Sequence, residues 1–166
     1  MPSAALVNRQ ERVVDNPGTA TYGAIVVTSA IVAAGSHDDR PWPVIAKVGA
    51  TLLVFWLAHV HTAFIAARFR APDATIARAL GDALHHELIM LEIAIAPLAS
   101  LLAGALGVIE FATAVTFGLW AGVAELFAIG LLHGRRAGYR PLAAIAIAVI
   151  YAAVGAGLIA LKVAVH

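Results

Sequence analysis

Long apolar runs, separated by short polar segments, occupy the chain from residue 19 onward. A helix needs about 20 such residues to cross the ~30 Å hydrocarbon core of a bilayer. We therefore predict an all-α fold, a polytopic membrane protein formed by a bundle of five transmembrane helices in a single domain, 18–166. The expected spans are about 19–36, 44–69, 84–106, 108–133 and 142–165, after a polar N-terminal segment, 1–17.

Helix-breaking residues mark the ends of these spans. Two prolines flank Trp42 in the polar loop 36–43, a pattern typical of a turn with an aromatic anchor at the membrane interface. Pro72 and Asp73 predict a helix start near Ala74, because an aspartate side chain can cap the free amides of a first turn.

The first span resembles a signal peptide, because Arg9 and Arg12 precede its apolar core. Glu11 and Asp15 lie in the same segment, however, and a signal peptide begins with a positively charged region. We interpret this segment as an uncleaved first span.

Basic residues are distributed unequally over the two sides of this topology. One side holds eight of the 11 Lys and Arg residues, and the positive-inside rule places that side in the cytoplasm. The prediction is a multi-pass protein of the cell inner (plasma) membrane, with its N-terminus inside and its C-terminus outside. The eight are Arg9, Arg12, Arg68, Arg70, Arg78, Arg135, Arg136 and Arg140, against Arg40, Lys47 and Lys162.

Composition agrees with a membrane protein and excludes several function classes. The hydrophobic fraction is 61% and the charged fraction 13%, where a soluble domain has about 25% charged residues. A net charge of +1 gives no basic patch for nucleic acid. The expected partner is the lipid bilayer, because of the apolar spans. Without cysteine there is no disulfide and no thiolate metal site. Phosphate-binding glycine loops, nucleophile elbows and the His-Glu-x-x-His zinc signature are also absent.

Ionisable residues inside the spans are the candidates for function, because a charge in lipid costs at least about 2.5 kcal/mol. At ~1.5 Å per residue, His59 and His61 on span two share one depth with Glu92 and Glu125 on spans three and four. This predicted layer contains no Lys or Arg to neutralise its acids. A proton or a metal ion is therefore its expected ligand.

The direction of each side chain narrows this set. At ~100° per residue, His59 and His61 point to nearly opposite sides of their helix. His59 lies on a stripe of small and polar residues, so we expect it to face inward. His85 lies seven residues before Glu92 and is expected on the same face, while Glu125 lies over small residues of its own helix.

These residues favour a small membrane protein that conducts or exchanges a cation through a buried His/Glu layer. Imidazole exchanges protons near neutral pH, and carboxylates supply negative charge and hard oxygen ligands. The outer half of the bundle offers few polar residues, which favours a gated conductor or a homo-oligomer. The ion-binding or proton-handling residues of this hypothesis are His59, His61, His85, Glu92 and Glu125.

Two alternatives stay open. The first is a membrane-embedded enzyme acting on a lipid or quinone, with a divalent metal ion as cofactor on His85, His86 and Glu87, together with His59. The second is a non-catalytic membrane partner or assembly subunit, in which the buried glutamates only hold helices together. Ion transport is favoured over catalysis because no signature of an enzyme is present.

Three segments, VFWLAHVHTAF, HHELIMLE and LIALKVAVH, resemble a group of small Ala-rich actinobacterial integral membrane proteins. The resemblance extends from the second span to the last. It implies a multi-span topology and implies no activity, cofactor or mechanism.

Overall fold

The computed structural model describes residues 11–13, 15–35 and 40–165, apart from the side chains of 161–163 and 165. In this part of the chain the regular elements are helices, without a strand. They are α1 (Pro17–Gly35), α2 (Pro41–Arg70), α3 (Ile76–Ile93), α4 (Ile95–Ala105), α5 (Phe111–Arg136) and α6 (Pro141–Val165). Most of the polar N-terminal segment, residues 36–39 of the first loop and the Lys162 side chain lie outside the described residues.

Four of these helices, α1, α2, α5 and α6, are long and apolar enough to cross a membrane. Helices α3 and α4 would provide a fifth span if they are taken together, and they meet at an angle of 50°. The all-α class predicted from the sequence is confirmed, and four to five helices are long and apolar enough to span a membrane, as a membrane protein requires. The third span differs from the expectation, because it is a bent pair of helices and not one continuous helix.

Proline causes this bend. Pro97 has no amide hydrogen to donate to the carbonyl of Ile93, and its ring crowds that carbonyl. The helix therefore stops at Ala94, whose amide bonds to the Leu91 carbonyl at 3.1 Å in a tightened turn. It restarts where the Leu98 amide bonds to the Ala94 carbonyl at 3.0 Å.

Helix α1 occupies the centre of the bundle and contacts α2, α3, α5 and α6. Its Val27 and Ile31 side chains are fully buried. Close approach is possible because small residues face the crossings: a Cβ on Gly122 of α5 would overlap the Thr28 hydroxyl, and one on Gly23 would lie 3.0 Å from the Met90 carbonyl oxygen. Of the four helices that could each cross a membrane, α1 has the lowest mean hydropathy. It is thus the least apolar of these helices that the others cover.

Glycines also bring α5 and α6 together. A Cβ on Gly134 would lie 2.7 Å from the Cα of Ala144, and one on Gly130 would lie 2.8 Å from the Cα of Ala148. Gly157, by contrast, has nothing within 4 Å of a Cβ position. Backbone contact therefore takes the place of side-chain packing along one side of α6.

The turn between α2 and α3 is closed by side chains at the Arg-rich end of the bundle. Thr75 is the N-cap of α3, and its hydroxyl accepts the Arg78 amide at 3.4 Å. The expected cap, Asp73, is wrong by two residues, because Thr75 has the extended backbone that a cap requires. Arg68 donates to the Pro72 carbonyl at 3.1 Å and so ties α2 to this turn.

Two other helices end on a glycine in the left-handed region. Gly107 has φ of 74°, and the next amide, that of Val108, bonds back to the Ala103 carbonyl at 2.9 Å. Gly138 has φ of 75° and ends α5 in the same way. This glycine-dependent arrangement satisfies the last free carbonyls of a helix and reverses the chain between spans.

Candidate functional site at Glu87 and His59

The central feature of the site is a carboxylate buried among three helices. Glu87 lies on α3 and is 5% exposed. One of its oxygens, Oε2, accepts a hydrogen bond from the hydroxyl of Thr19 on α1 at 3.0 Å. The same oxygen lies 3.3 Å from Nδ1 of His59 on α2. A single carboxylate oxygen therefore connects α1, α2 and α3.

The local sequence explains why Glu87 points inward. On α3 the buried residues Ala79, Ala83 and Met90 recur at helical spacing, and Glu87 falls on the same stripe. Thr19 lies in the first turn of α1 and is itself buried. A small hydroxyl residue at this crossing leaves room for the longer carboxylate side chain.

Aromatic rings hold His59 in place. Its imidazole lies over the ring of Tyr22, with the two centroids 4.6 Å apart and the planes tilted by 31°. Tyr22 also makes an edge contact with Phe55, at a centroid distance of 5.9 Å. The side chain of His59 keeps 32% of its surface exposed, whereas that of Glu87 keeps only 7%. The imidazole of His59 is thus the more exposed side chain of the pair.

This exposed side of His59 lines an open groove of about 530 Å³ between α2 and α3. We call it the inner groove, because its lining extends to Arg70 at the Arg-rich end. Charged residues of both signs, Arg70 and Asp82, lie on its walls together with His86. The full lining is His59, Thr62, Ala63, Ala66, Ala67, Arg70, Asp82, Ala83, His86 and Glu87.

The arrangement suits the exchange of a proton. A carboxylate and an imidazole at 3.3 Å form an ion pair when the imidazole is protonated, and imidazole gains and loses protons near neutral pH. The Thr19 hydroxyl donates a hydrogen bond to the same carboxylate. Ionisable residues in apolar helices of a membrane protein are by default candidates for a functional site, which makes this pair the candidate here.

A second polar contact corrects the expectation that the acidic layer has no basic neighbour. Arg12 lies 2.6 Å from Oε1 of Glu92. The neighbouring Val13 is 5% exposed and packs against buried residues of α3 and α5. The segment before α1 therefore carries a guanidinium to Glu92, which makes this acid a partner in an ion pair and not an uncompensated charge.

The other predicted residues differ in exposure. His61 is exposed on α2, and His85 is exposed on α3. Glu125 is half-buried on α5 and takes part in an interaction. From the sequence, His59, Glu92 and Glu125 were expected in one layer. The described contacts instead pair His59 with Glu87, and Glu92 with Arg12.

The proposed metal ligands also point in different directions. His85 and His86 are exposed, whereas their neighbour Glu87 is buried, as expected for consecutive residues separated by ~100° on a helix. Among the described residues, no group of three His, Asp or Glu side chains is placed to hold a metal ion. The described contacts of Glu87 are with Thr19 and His59, and the metal site at His85, His86 and Glu87 stays a prediction.

Sequence reasoning missed the roles of Thr19 and Arg12 and underrated Glu87. The sequence predicts Glu87 only as a metal ligand beside His85 and His86, and not as a member of the buried layer. The stripe of Ala79, Ala83 and Met90 around it was the available signal for burial. No comparable local signal identifies Thr19 or Arg12, whose partners lie 68 and 80 residues away.

The site is thus a buried Thr–Glu–His contact on the wall of an open groove. No family model, no curated protein and no solved structure matches this chain.

Proposed function

We propose that this chain is a plasma-membrane protein that binds and exchanges a cation, namely a proton, at the His59–Glu87 pair. The proposal rests on one observation, the buried Glu87 carboxylate bonded to Thr19 and paired with a groove-lining His59. We further propose five spans, with α3 and α4 as one bent span and the Arg-rich end in the cytoplasm. The inner groove would then admit protons from the cytoplasm.

The groove wall supplies hydrogen-bond acceptors beside the guanidinium of Arg70. The hydroxyl of Thr62 donates to the Ala58 carbonyl of its own helix at 2.9 Å. Because this is the only hydrogen that a hydroxyl can donate, the oxygen presents its lone pairs to the groove. The carboxylates of Asp82 and Glu87 add two further acceptors to the lining. Such a surface attracts a proton or the water that carries it.

Proton flux into sealed vesicles tests this proposal. The protein, reconstituted in vesicles that contain a pH-sensitive dye, is driven by a potassium gradient with valinomycin. We expect faster acidification than in protein-free vesicles, and a loss of most of that excess in Glu87→Gln and His59→Ala. His61→Ala is the matched control, since His61 is exposed two residues away, and its flux should equal the parent's.

Two results would contradict the proposal. One is a parent flux no greater than that of empty vesicles for protons and for monovalent and divalent cations. The other is an unchanged flux in Glu87→Gln together with a loss of helical stability. That second outcome would support the assembly-subunit alternative, in which the Thr19–Glu87 hydrogen bond only joins α1 to α3.

A further inference from the structure

A second groove lies on the other side of the aromatic contact at His59. It has a volume of about 680 Å³ and runs between α1 and α2. We call it the outer groove, because it extends toward Lys47 near the start of α2. Its lining is Tyr22, Ile25, Val26, Ser29, Ala30, Ala33, Ala34, Lys47, Thr51 and Phe55.

The two grooves follow one continuous stripe of α2. Residues of this stripe recur every three or four positions, the spacing of one helix face. In order they are Lys47, Thr51 and Phe55 in the outer groove, then His59, Thr62, Ala66 and Arg70 in the inner groove. Along the helix axis, His59 lies about 18 Å from Lys47 and about 16 Å from Arg70. The change from one groove to the other thus falls near the middle of α2.

Aromatic rings separate the grooves. Tyr22 and Phe55 line the outer groove, and His59 lines the inner groove. The Tyr22 ring bridges them, with centroids 4.6 Å from that of His59 and 5.9 Å from that of Phe55. Rings at these distances are in contact, which leaves no room between them for a hydrated ion.

The outer groove presents acceptors in the same way as the inner groove. The Thr51 hydroxyl donates to the Lys47 carbonyl at 2.8 Å, and the Ser29 hydroxyl donates to carbonyls of α1. Their oxygens therefore offer lone pairs to whatever enters the groove. Both grooves thus offer hydroxyl oxygens as acceptors to water, beside one basic side chain each, Lys47 in the outer groove and Arg70 in the inner groove.

We propose that the two grooves are opposite vestibules of one proton path, and that the Tyr22–Phe55–His59 contact is the barrier between them. That a proton is the transported ion rests on the proposed function. The aromatic barrier, and the opening of each groove toward one side of the membrane, do not depend on it. His59 accepts a proton from a hydronium ion of one vestibule, so that an O–H bond breaks as the imidazole N–H bond forms, and it releases the proton to a water of the other vestibule by the reverse exchange. Hydrated metal ions are stopped at the rings.

Thiol labelling tests the barrier directly, because the chain contains no cysteine. Thr62→Cys places a thiol in the inner groove and Thr51→Cys one in the outer groove; each gives up only a hydroxyl bond within α2. A membrane-impermeant cationic methanethiosulfonate is added to one side of oriented vesicles at a time. We expect Thr62→Cys to react only from the Arg-rich side and Thr51→Cys only from the opposite side.

Two control variants calibrate this experiment. Tyr139→Cys, exposed in the turn after α5, reports reaction from the Arg-rich side. Leu57→Cys is exposed on α2 outside both grooves, and it should stay unlabelled because it faces lipid. In a Tyr22→Ala background we expect Thr51→Cys and Thr62→Cys to react from both sides, and in Tyr22→Phe the parent pattern should remain.

Labelling of either thiol from both sides in the parent would overturn the barrier. If Thr51→Cys or Thr62→Cys is labelled from neither side, its groove is not a vestibule and the proposal is overturned. If Tyr22→Ala folds and leaves the pattern unchanged, Tyr22 is not the barrier. Sided labelling without proton flux would instead keep the barrier and contradict the proposed function.

Discussion

The contribution of the Thr19–Glu87 hydrogen bond to stability is the prediction that can be measured most directly, because this bond joins two helices through one pair of atoms. Thr19→Val keeps the shape of the side chain and removes the donor. Hydrogen bonds to charged groups contribute about 1.5–3 kcal/mol in soluble proteins, and bonds between membrane helices average about 0.6 kcal/mol, with a maximum near 1.7 kcal/mol. Both partners are at least 94% buried, with exposures of 6% and 5%, so we expect a loss of about 1.5 kcal/mol.

A double-mutant cycle isolates this bond from other effects of the substitution. The second variant is Glu87→Met, which removes the carboxylate and keeps a side chain of similar length. In that background Thr19→Val should cost little, so the coupling free energy should be about 1–1.5 kcal/mol. Stability is measured by unfolding the protein in bicelles with SDS, followed by far-UV circular dichroism.

Thr21→Val is the matched control. The Thr21 hydroxyl donates to the Pro17 carbonyl of its own helix at 2.8 Å, so its loss breaks no contact between helices. We expect a change within about 0.5 kcal/mol. An equal loss for Thr19→Val in the parent and in Glu87→Met would refute the interaction, as would a control that costs as much as Thr19→Val.

Three further predictions concern the backbone. Gly134→Ala should lower the free energy of unfolding, because its Cβ would lie 2.7 Å from the Ala144 Cα. Gly157→Ala, in open space, should raise it by about 0.5–1 kcal/mol. Unfolding in SDS would show changes of opposite sign in the free energy of unfolding for the two variants. Pro97→Ala should reduce the 50° bend and lengthen the distance between spin labels near the far ends of α3 and α4 by about 3 Å, and an unchanged distance would assign the bend to packing. Gly107→Ala should cost about 1–2 kcal/mol, because a Cβ is disfavoured at φ of 74°, and a neutral result would mean that the turn has another conformation.

The spans could be predicted from the sequence because an apolar run in lipid has few solutions. Backbone groups must be bonded within the segment, which leaves a helix for runs of this length. The bend could not be predicted from Pro97 alone, since membrane helices often accommodate a proline. The central place of α1 was also hidden. Its modest apolar character indicated a weak span, whereas the structure covers it with four other helices.

The site was predicted only in part because depth was counted from assumed membrane boundaries. That count put Glu92 level with His59, whereas the partner of His59 is Glu87, five residues or about 7.5 Å earlier on the helix. Which carboxylate meets the imidazole depends on how α2 and α3 pack, and a single sequence does not contain that register. The contact of Arg12 with Glu92 depends on packing in the same way.

The central position of α1 has a consequence for how the protein is made. Helix α1 is synthesised before every helix that surrounds it, so the hydroxyls and glycines of its crossings at first face lipid or the insertion machinery. Thr19 acquires its carboxylate partner only when α3 arrives, and Thr28 meets Gly122 only with α5. Until then α1 is a helix of modest apolarity without neighbours, so biogenesis must retain the earliest span until the later ones enclose it.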